Sequence, residues 1–495
     1  MYDDFLTLSG HLRSASGRGR AMAFSAILLS SVAAGPVHAE GLMEALTAAY
    51  QTSPVLDAQR AALRATDETV AQALSGWRPR VTASGSYGRQ AIRSEQPLSP
   101  FGFPGSRSND RVISPIGTEI KISQPIYRGG QTLNATRQAE AGVRAGRELL
   151  LSAEQSVLLN AVTAYMDVLR DKAVVDLSKN QVEVLTRQLQ ATRDRFRVGE
   201  ITRTNVAQSE ARLSSAVSNL TSTEAALIAS NSAYERVIGR QPAGLEPPPP
   251  LPPLAESEEA AQSQALDRNP QLRAALEAER VSAHAVRVEI GKLLPTISME
   301  ASVGLLQDQS VEGFAQDQAA VTALLQVPLY ESGAVYAAVR QAREINSQRR
   351  LEAAQARRQV IEGVRNAWEA LRSTRARIVS DQEAVRANEI ALEGVRQEAD
   401  VGARTTLDVL DAEQELLNAR VALVRSQRNE VVAGYSLLSV DGGLTAAGLG
   451  LAVAAYDPLQ HYNEVRTKVI GTRADTSAQV PQAVDGPPSA NTSSK

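Results

Sequence analysis

Two periodicities divide this chain. Four short stretches alternate apolar with polar side chains, and four long ones repeat apolar residues every three to four positions. Val81, Ala83, Gly85 and Tyr87 are small or apolar where Thr82, Ser84 and Ser86 are polar, and Ile120-Lys121-Ile122-Ser123 alternates likewise. Ile297, Met299, Ala301, Val303 and Leu305 alternate with Ser298, Glu300, Ser302 and Gly304. Val321, Ala323, Leu325 and Val327 do so with Thr322 and Gln326, Leu324 being out of pattern. These stretches predict strands over about residues 79–89, 116–126, 295–305 and 319–329. Each is roughly the nine to eleven residues of a tilted membrane-spanning strand. Polar loops over 90–115 and 306–318 join them.

After each strand pair comes a long stretch without proline, from Pro125 to Pro242 and from Pro328 to Pro458. Leu158, Val162, Tyr165 and Leu169 keep helical spacing there. Helices are predicted over 130–197, 202–238, 333–400 and 405–439, with opening helical stretches over about 42–75 and 260–292. At 1.5 Å per residue the longest reach about 100 Å, so they must pair along their length.

The pattern is written twice. Pro270 and Pro295 follow Pro54 and Pro79 at an offset of 216 residues; Pro328, Trp368 and Gly402 follow Pro125, Tyr165 and Gly199 at 203. The difference, 13 residues, is an insertion in the first copy between Gly88 and Pro125. The copies span 40–245 and 255–445, joined by a polyproline strap at 246–254 that begins Glu246-Pro247-Pro248. A segment at 446–470 and a polar, disordered tail at 471–495 follow.

Composition narrows the class. Aromatics are 4%, too few for several globular cores, and the net charge of −3 leaves no footprint for nucleic acid. There is no cysteine, hence no disulfide, thiolate metal site or lipid-bearing N-terminal cysteine. Arg13, Arg18 and Arg20, the apolar run 21–34 and Val37-His38-Ala39 read as an export signal over 1–39, cleaved after Ala39. The four histidines are scattered, and no phosphate-binding loop or nucleophile–base set stands out, so no metal, cofactor or enzyme activity is expected.

An open four-stranded sheet in lipid would leave backbone groups unsatisfied, and the smallest closed barrels have about eight strands. Several copies must therefore pool their strands, and a symmetric ring pools their helices too. Trp77, Tyr127 and Tyr330 near strand ends suit an interfacial aromatic girdle, or are ordinary edge aromatics.

The long helices turn at Val198-Gly199-Glu200-Ile201-Thr202 and Val401-Gly402-Ala403-Arg404-Thr405. Glycine ends one helix and threonine caps the next. The duplication, the two Val-Gly turns and the run Val401-Gly402-x-Arg404-Thr405-x-x-Asp408-Val409-Leu410-Asp411 resemble the TolC family of outer-membrane channel proteins, over roughly residues 42–444. The resemblance implies a mainly α fold with membrane β. A homotrimer would form a 12-stranded barrel continuous with a periplasmic α-helical barrel, and 446–470 would join an equatorial belt. It implies an exit duct for drug efflux or type I protein secretion, in the outer membrane of a Gram-negative cell. The partners would be outer-membrane lipid, a periplasmic adaptor and an inner-membrane ABC or RND-type pump. Val198, Gly199, Thr202, Val401, Gly402 and Thr405 would be the adaptor-docking tips, and Asp408 and Asp411 two carboxylate rings at the tunnel entrance.

The family's closed state is latched by an arginine, here Arg404, on an acid whose position holds Asn205, with a tyrosine position held by Ala399. Asp400 and Asp194 are alternative acceptors. The competing reading of Asp408 and Asp411 is acids favoured at a helix N-terminus. The competing reading of the whole chain is a soluble periplasmic coiled-coil adaptor or scaffold, which needs no strands.

Overall fold

The computed structural model describes residues 40–97 and 106–473, so the predicted signal over 1–39 and all but the start of the tail expected over 471–495 lie outside the described residues; residues 471–473 are corrected to part of an ordered turn, in which the Arg473 carbonyl accepts from Lys468. The first copy opens with α1 (Leu42–Thr52) and α2 (Pro54–Leu74), and the second with α5 (Glu258–Arg268) and α6 (Pro270–Gly291). Each opening stretch is thus two helices, where the periodicity predicts one. The break falls at Ser53-Pro54 and Asn269-Pro270, because proline disfavours helical backbone in the residue before it. Ser53 and Asn269 are extended, at ψ 113° and 120°, and their side chains cap the helix that follows. Asn269 Oδ1 accepts from the Gln271 and Leu272 N–H groups at 3.0 and 3.1 Å.

Strands β1 (Arg80–Tyr87) and β4 (Ile116–Arg128) of the first copy join β5 (Thr296–Gln307) and β6 (Ala315–Gln326) of the second. The sheet is antiparallel in the order β1-β4-β5-β6. Cross-strand partners share a face. Val81, Ile122, Ala301 and Val321 stand in one row; Ala83, Ile120, Val303 and Ala319 stand in the next. This apolar face is open, with Val321 75% exposed. The opposite face carries Thr82, Lys121, Ser302 and Glu300, and Lys121 Nζ lies 2.8 Å from Glu300 Oε2. One face suits hydrocarbon and the other water, as in a barrel wall.

Two strand expectations are corrected. Residues 90–115 are not an irregular loop: β2 (Gln90–Pro97) and β3 (Ser106–Ile113) pair as a separate two-stranded ribbon. β6 starts at Ala315 rather than near 319, because Ala315 and the polar Gln316, Asp317 and Gln318 keep pairing with Gly304–Gln307. It stops at Gln326, two residues before Pro328, which has no N–H to donate.

The long helices are α3 (Gln131–Arg197), α4 (Arg203–Ile238), α7 (Ala334–Asp400) and α8 (Thr406–Val440), with α3 and α7 each 67 residues. Near the sheet, α2 packs on α3, α3 on α6 and α6 on α7; farther down, α4 packs on α3, α3 on α8 and α8 on α7. So α4 takes over the lane of α2, and α8 that of α6. The strands lie in the same lateral order, each running into its own lane: α2 into β1, β4 into α3, α6 into β5, β6 into α7. Among the described residues no helix is long and apolar enough to cross a membrane.

Where the lanes change hands, a buried core joins Leu42 and Leu46 of α1, Leu158 and Tyr165 of α3, Tyr234 of α4 and Tyr435 of α8. Leu444 and Ala446 complete it. Beyond them α9 (Gln460–Arg466) docks on α2, with His461 Nδ1 3.1 Å from the buried Asp67 carboxylate. The proline-rich strap lies across this belt. The Glu246 N–H donates to the Glu40 carbonyl at 3.1 Å, and Leu251 packs on Gly434 of α8. A β-carbon at Gly434 would stand 2.7 Å from Leu251 Cδ1. Gly434→Val should therefore cost about 1–3 kcal/mol through overpacking. A thermal melt checks this, and adding Leu251→Ala should restore much of the loss.

Candidate functional site at the hairpin tips

The two tips are built alike. Val198 and Val401 have φ −90° and −94°, and Gly199 and Gly402 both have φ +81°, a left-handed conformation that favours glycine. The Glu200 N–H donates to the Arg195 carbonyl at 3.0 Å and the Ala403 N–H to that of Glu398 at 2.8 Å, the six-to-one bond that closes a helix end. Thr202 and Thr405 then start α4 and α8 with extended backbone, ψ 160° and 159°. Val198 and Val401 stand at the extreme tips, 78% and 80% exposed.

Asp408 belongs to the start of α8. Its Oδ2 accepts the Thr405 N–H at 2.9 Å and the Thr405 hydroxyl at 2.8 Å, while the Asp408 N–H donates back to the hydroxyl oxygen: a capping box. The Thr405 N–H bond holds the Asp408 carboxyl below its ordinary pKa. A depressed folded pKa adds stability that is full above the unfolded value and lost as pH falls through the folded one. Amide exchange at residues 405–408, corrected for intrinsic pH dependence, should therefore speed up as pH drops below the usual carboxylate range. In Asp408→Ala it should be fast throughout. Asn205 holds the same place in the first copy, where its Oδ1 accepts the Thr202 hydroxyl at 3.4 Å.

The expected Arg404–Asn205 pairing is not formed within the protomer. Arg404 Nε instead donates to Glu398 at 2.8 Å, on the last turn of its own hairpin. Asp194 is likewise taken locally, by Arg197. The bonds that cross between hairpins are others. Arg195 of α3 meets Asp400 of α7 at 3.5 Å, Arg212 of α4 pairs with Asp411 of α8, and Arg428 of α8 reaches Asp167 of α3 at 2.9 Å. Asp411 is thus a paired acid, leaving Asp408 as the less neutralised carboxylate. Within each hairpin the repeat extends to the ion pairs: Arg193–Glu210 in the first copy, Arg396–Glu413 in the second.

The cross-hairpin arginines escape a sequence reading because Arg212 and Arg195 have no counterpart at an offset of 203. Only the lateral packing of α3 and α4 against α8 brings them to their acids. Between the tips lies a cleft of about 1030 Å³ lined by Arg195, Arg404, Asp400, Glu200 and Glu413. Its surface suits reversible ion pairing.

A duplicated chain with a membrane-type sheet at one end and charged, glycine-turned hairpins at the other has the architecture of an outer-membrane channel protein. The sequence comparisons agree: the chain belongs to the outer membrane efflux protein family, whose model matches residues 45–240 and 261–443. It is 35% identical over 435 residues to the outer membrane efflux protein BepC of Brucella suis, covering 88% of this chain and 92% of that one. It is 25% identical over 388 residues to the alkaline protease secretion protein AprF of Pseudomonas aeruginosa, covering 76% and 79%. Its fold matches the Campylobacter jejuni CmeC outer membrane channel with a TM-score of 0.71 at 17% identity, over 86% of this chain and 89% of that one. The soluble adaptor reading finds no support in these relatives.

Proposed function

We propose that three copies form a closed duct: twelve strands as one outer-membrane barrel, and the helices as a periplasmic tunnel beneath it. The observation that carries this reading is the sheet's condition. β1 and β6 are unpaired edges, one face is apolar and open, and each strand runs into a helix lane in matching order. Pairing β6 of one copy with β1 of the next satisfies both edges, as hydrocarbon requires. The same step sets α7 beside the neighbour's α2 and α4.

The duct is a passive exit with no catalysis, driven by an inner-membrane ABC or RND-type pump through a periplasmic adaptor. The exposed Val198 and Val401, on rigid glycine turns, give that adaptor small apolar knobs to seat. The names of BepC and AprF support two uses for such a duct, efflux and the secretion of a protease. Asp408 from three copies forms the entrance ring, and the pairs Arg195–Asp400 and Arg212–Asp411 hold the entrance shut in place of an Arg404 latch. Planar-bilayer recording tests the reading. The detergent-extracted protein should give discrete, cation-preferring current steps that polyvalent cations block; a protein that leaves the bilayer silent ends it.

A further inference from the structure

We propose that the turn after α9, residues 467–473, is an interfacial anchor for anionic phospholipid headgroups of the periplasmic leaflet. The inference rests on the sheet lying in lipid. Three hydrogen bonds build the turn: the Lys468 N–H to the Val465 carbonyl at 3.0 Å, Lys468 Nζ to the Arg473 carbonyl at 3.0 Å, and Arg78 Nη1 to the Lys468 carbonyl at 3.1 Å. Gly471, at φ +117°, lets the chain reverse. The result lifts Val469 and Ile470 outward, 70% and 89% exposed. An organised turn that presents two apolar side chains to water is built to meet something.

Its position says what. Arg78 lies three residues before Val81, while on β5 and β6 the apolar face runs on past the Val81 row to Ile297 and Leu325. Arg78 therefore stands level with the last apolar rows of the sheet, at the edge of the hydrocarbon. Headgroup layers are roughly 5–8 Å deep on each side of a hydrocarbon core of about 30 Å. The turn therefore sits at the level where acyl chains give way to phosphates. Trp77, exposed and one residue from Arg78, stands at the same level, where aromatic rings gather.

Arg78 and Lys468 are tied into the turn that carries the two apolar residues and Arg473 lies at its end, and Lys468 makes no ion pair among the described residues. Apolar side chains beside cations match an acyl boundary under anionic phosphates. The turn is also tied down. His461 on Asp67, Arg147 over the Tyr462 ring at 5.3 Å and the buried Val465 fix α9 to α2 and α3. Insertion then needs little further ordering. The competing occupant is the edge of a second copy, which would cover Val469 and Ile470 with protein.

The chain has no cysteine, so single-cysteine labelling is clean. A polarity-sensitive fluorophore on Val469→Cys, in the assembled protein, would be read in phosphatidylcholine vesicles with and without phosphatidylglycerol. Val321→Cys on the apolar sheet face and Asn463→Cys on α9 serve as references. Brominated lipid should at least halve the Val469 emission while aqueous iodide leaves it nearly unchanged. Phosphatidylglycerol should deepen the lipid quenching, and Lys468→Glu should remove that gain. Quenching of Val321 but not Val469 by brominated lipid would overturn the anchor alone, whether protein or water covers the turn. Failure of both would overturn the membrane reading of the sheet.

Discussion

Arginine at Val321 should abolish assembly of the trimer in the outer membrane, while arginine one residue on, at Thr322, should leave it intact. Val321 lies in the middle of β6 on the apolar face, in the row of Val81, Ile122 and Ala301. Thr322 opposes Glu300 on the polar face, close to Lys121. A cation at the bilayer midplane on the lipid side of a barrel costs about 2–4 kcal/mol. Three copies make that about 6–12 kcal/mol per ring, comparable with the whole stability of an ordinary domain at roughly 5–15 kcal/mol. On the water side the same residue costs little. Heat-modifiable oligomer on unboiled gels of outer-membrane fractions reads the difference. Equal loss in both variants would mean that the faces are misassigned.

Opening the tunnel should take two arginines, neither of them Arg404. Arg195→Ser with Arg212→Ser removes the pairs to Asp400 and Asp411, and single-channel conductance should rise severalfold. These pairs are half exposed, so each is worth at most about 1 kcal/mol. Three-fold repetition gives six of them, at most about 6 kcal/mol in all. Moving an equilibrium from 1:99 to 99:1 takes about 5.5 kcal/mol. The single variants should therefore shift conductance only partly. Arg404→Ser should not, because its partner Glu398 moves with it on the same hairpin. Baring Asp411 should also sharpen cation preference. A double variant that conducts like the parent would remove both pairs from the gate.

Much of the fold was legible because membrane strands and paired long helices leave strong periodic traces. β1, β4 and β5 begin within a residue of their expected starts, and the four long helices match within about two residues at each end. The ribbon of β2 and β3 was not legible. Arg93, Ser94, Glu95, Asn109 and Asp110 are polar on both faces, so no alternation marks them, and their pairing shows only through contacts such as Arg93–Asp110 at 3.0 Å. The breaks at Ser53-Pro54 and Asn269-Pro270 were written in the chain as cap-plus-proline pairs, though the helical period runs through them. At the tips, the glycine turns follow from local chemistry alone. Which arginine meets which acid does not: Arg212 and Asp411 are 199 residues apart and meet only once the two hairpins pack.

The account stands on sister chains completing one barrel. Native mass spectrometry of the detergent-extracted mature protein measures this directly. A single species of three chains is the predicted result. A water-soluble monomer, extracted without detergent and stable as such, would contradict it.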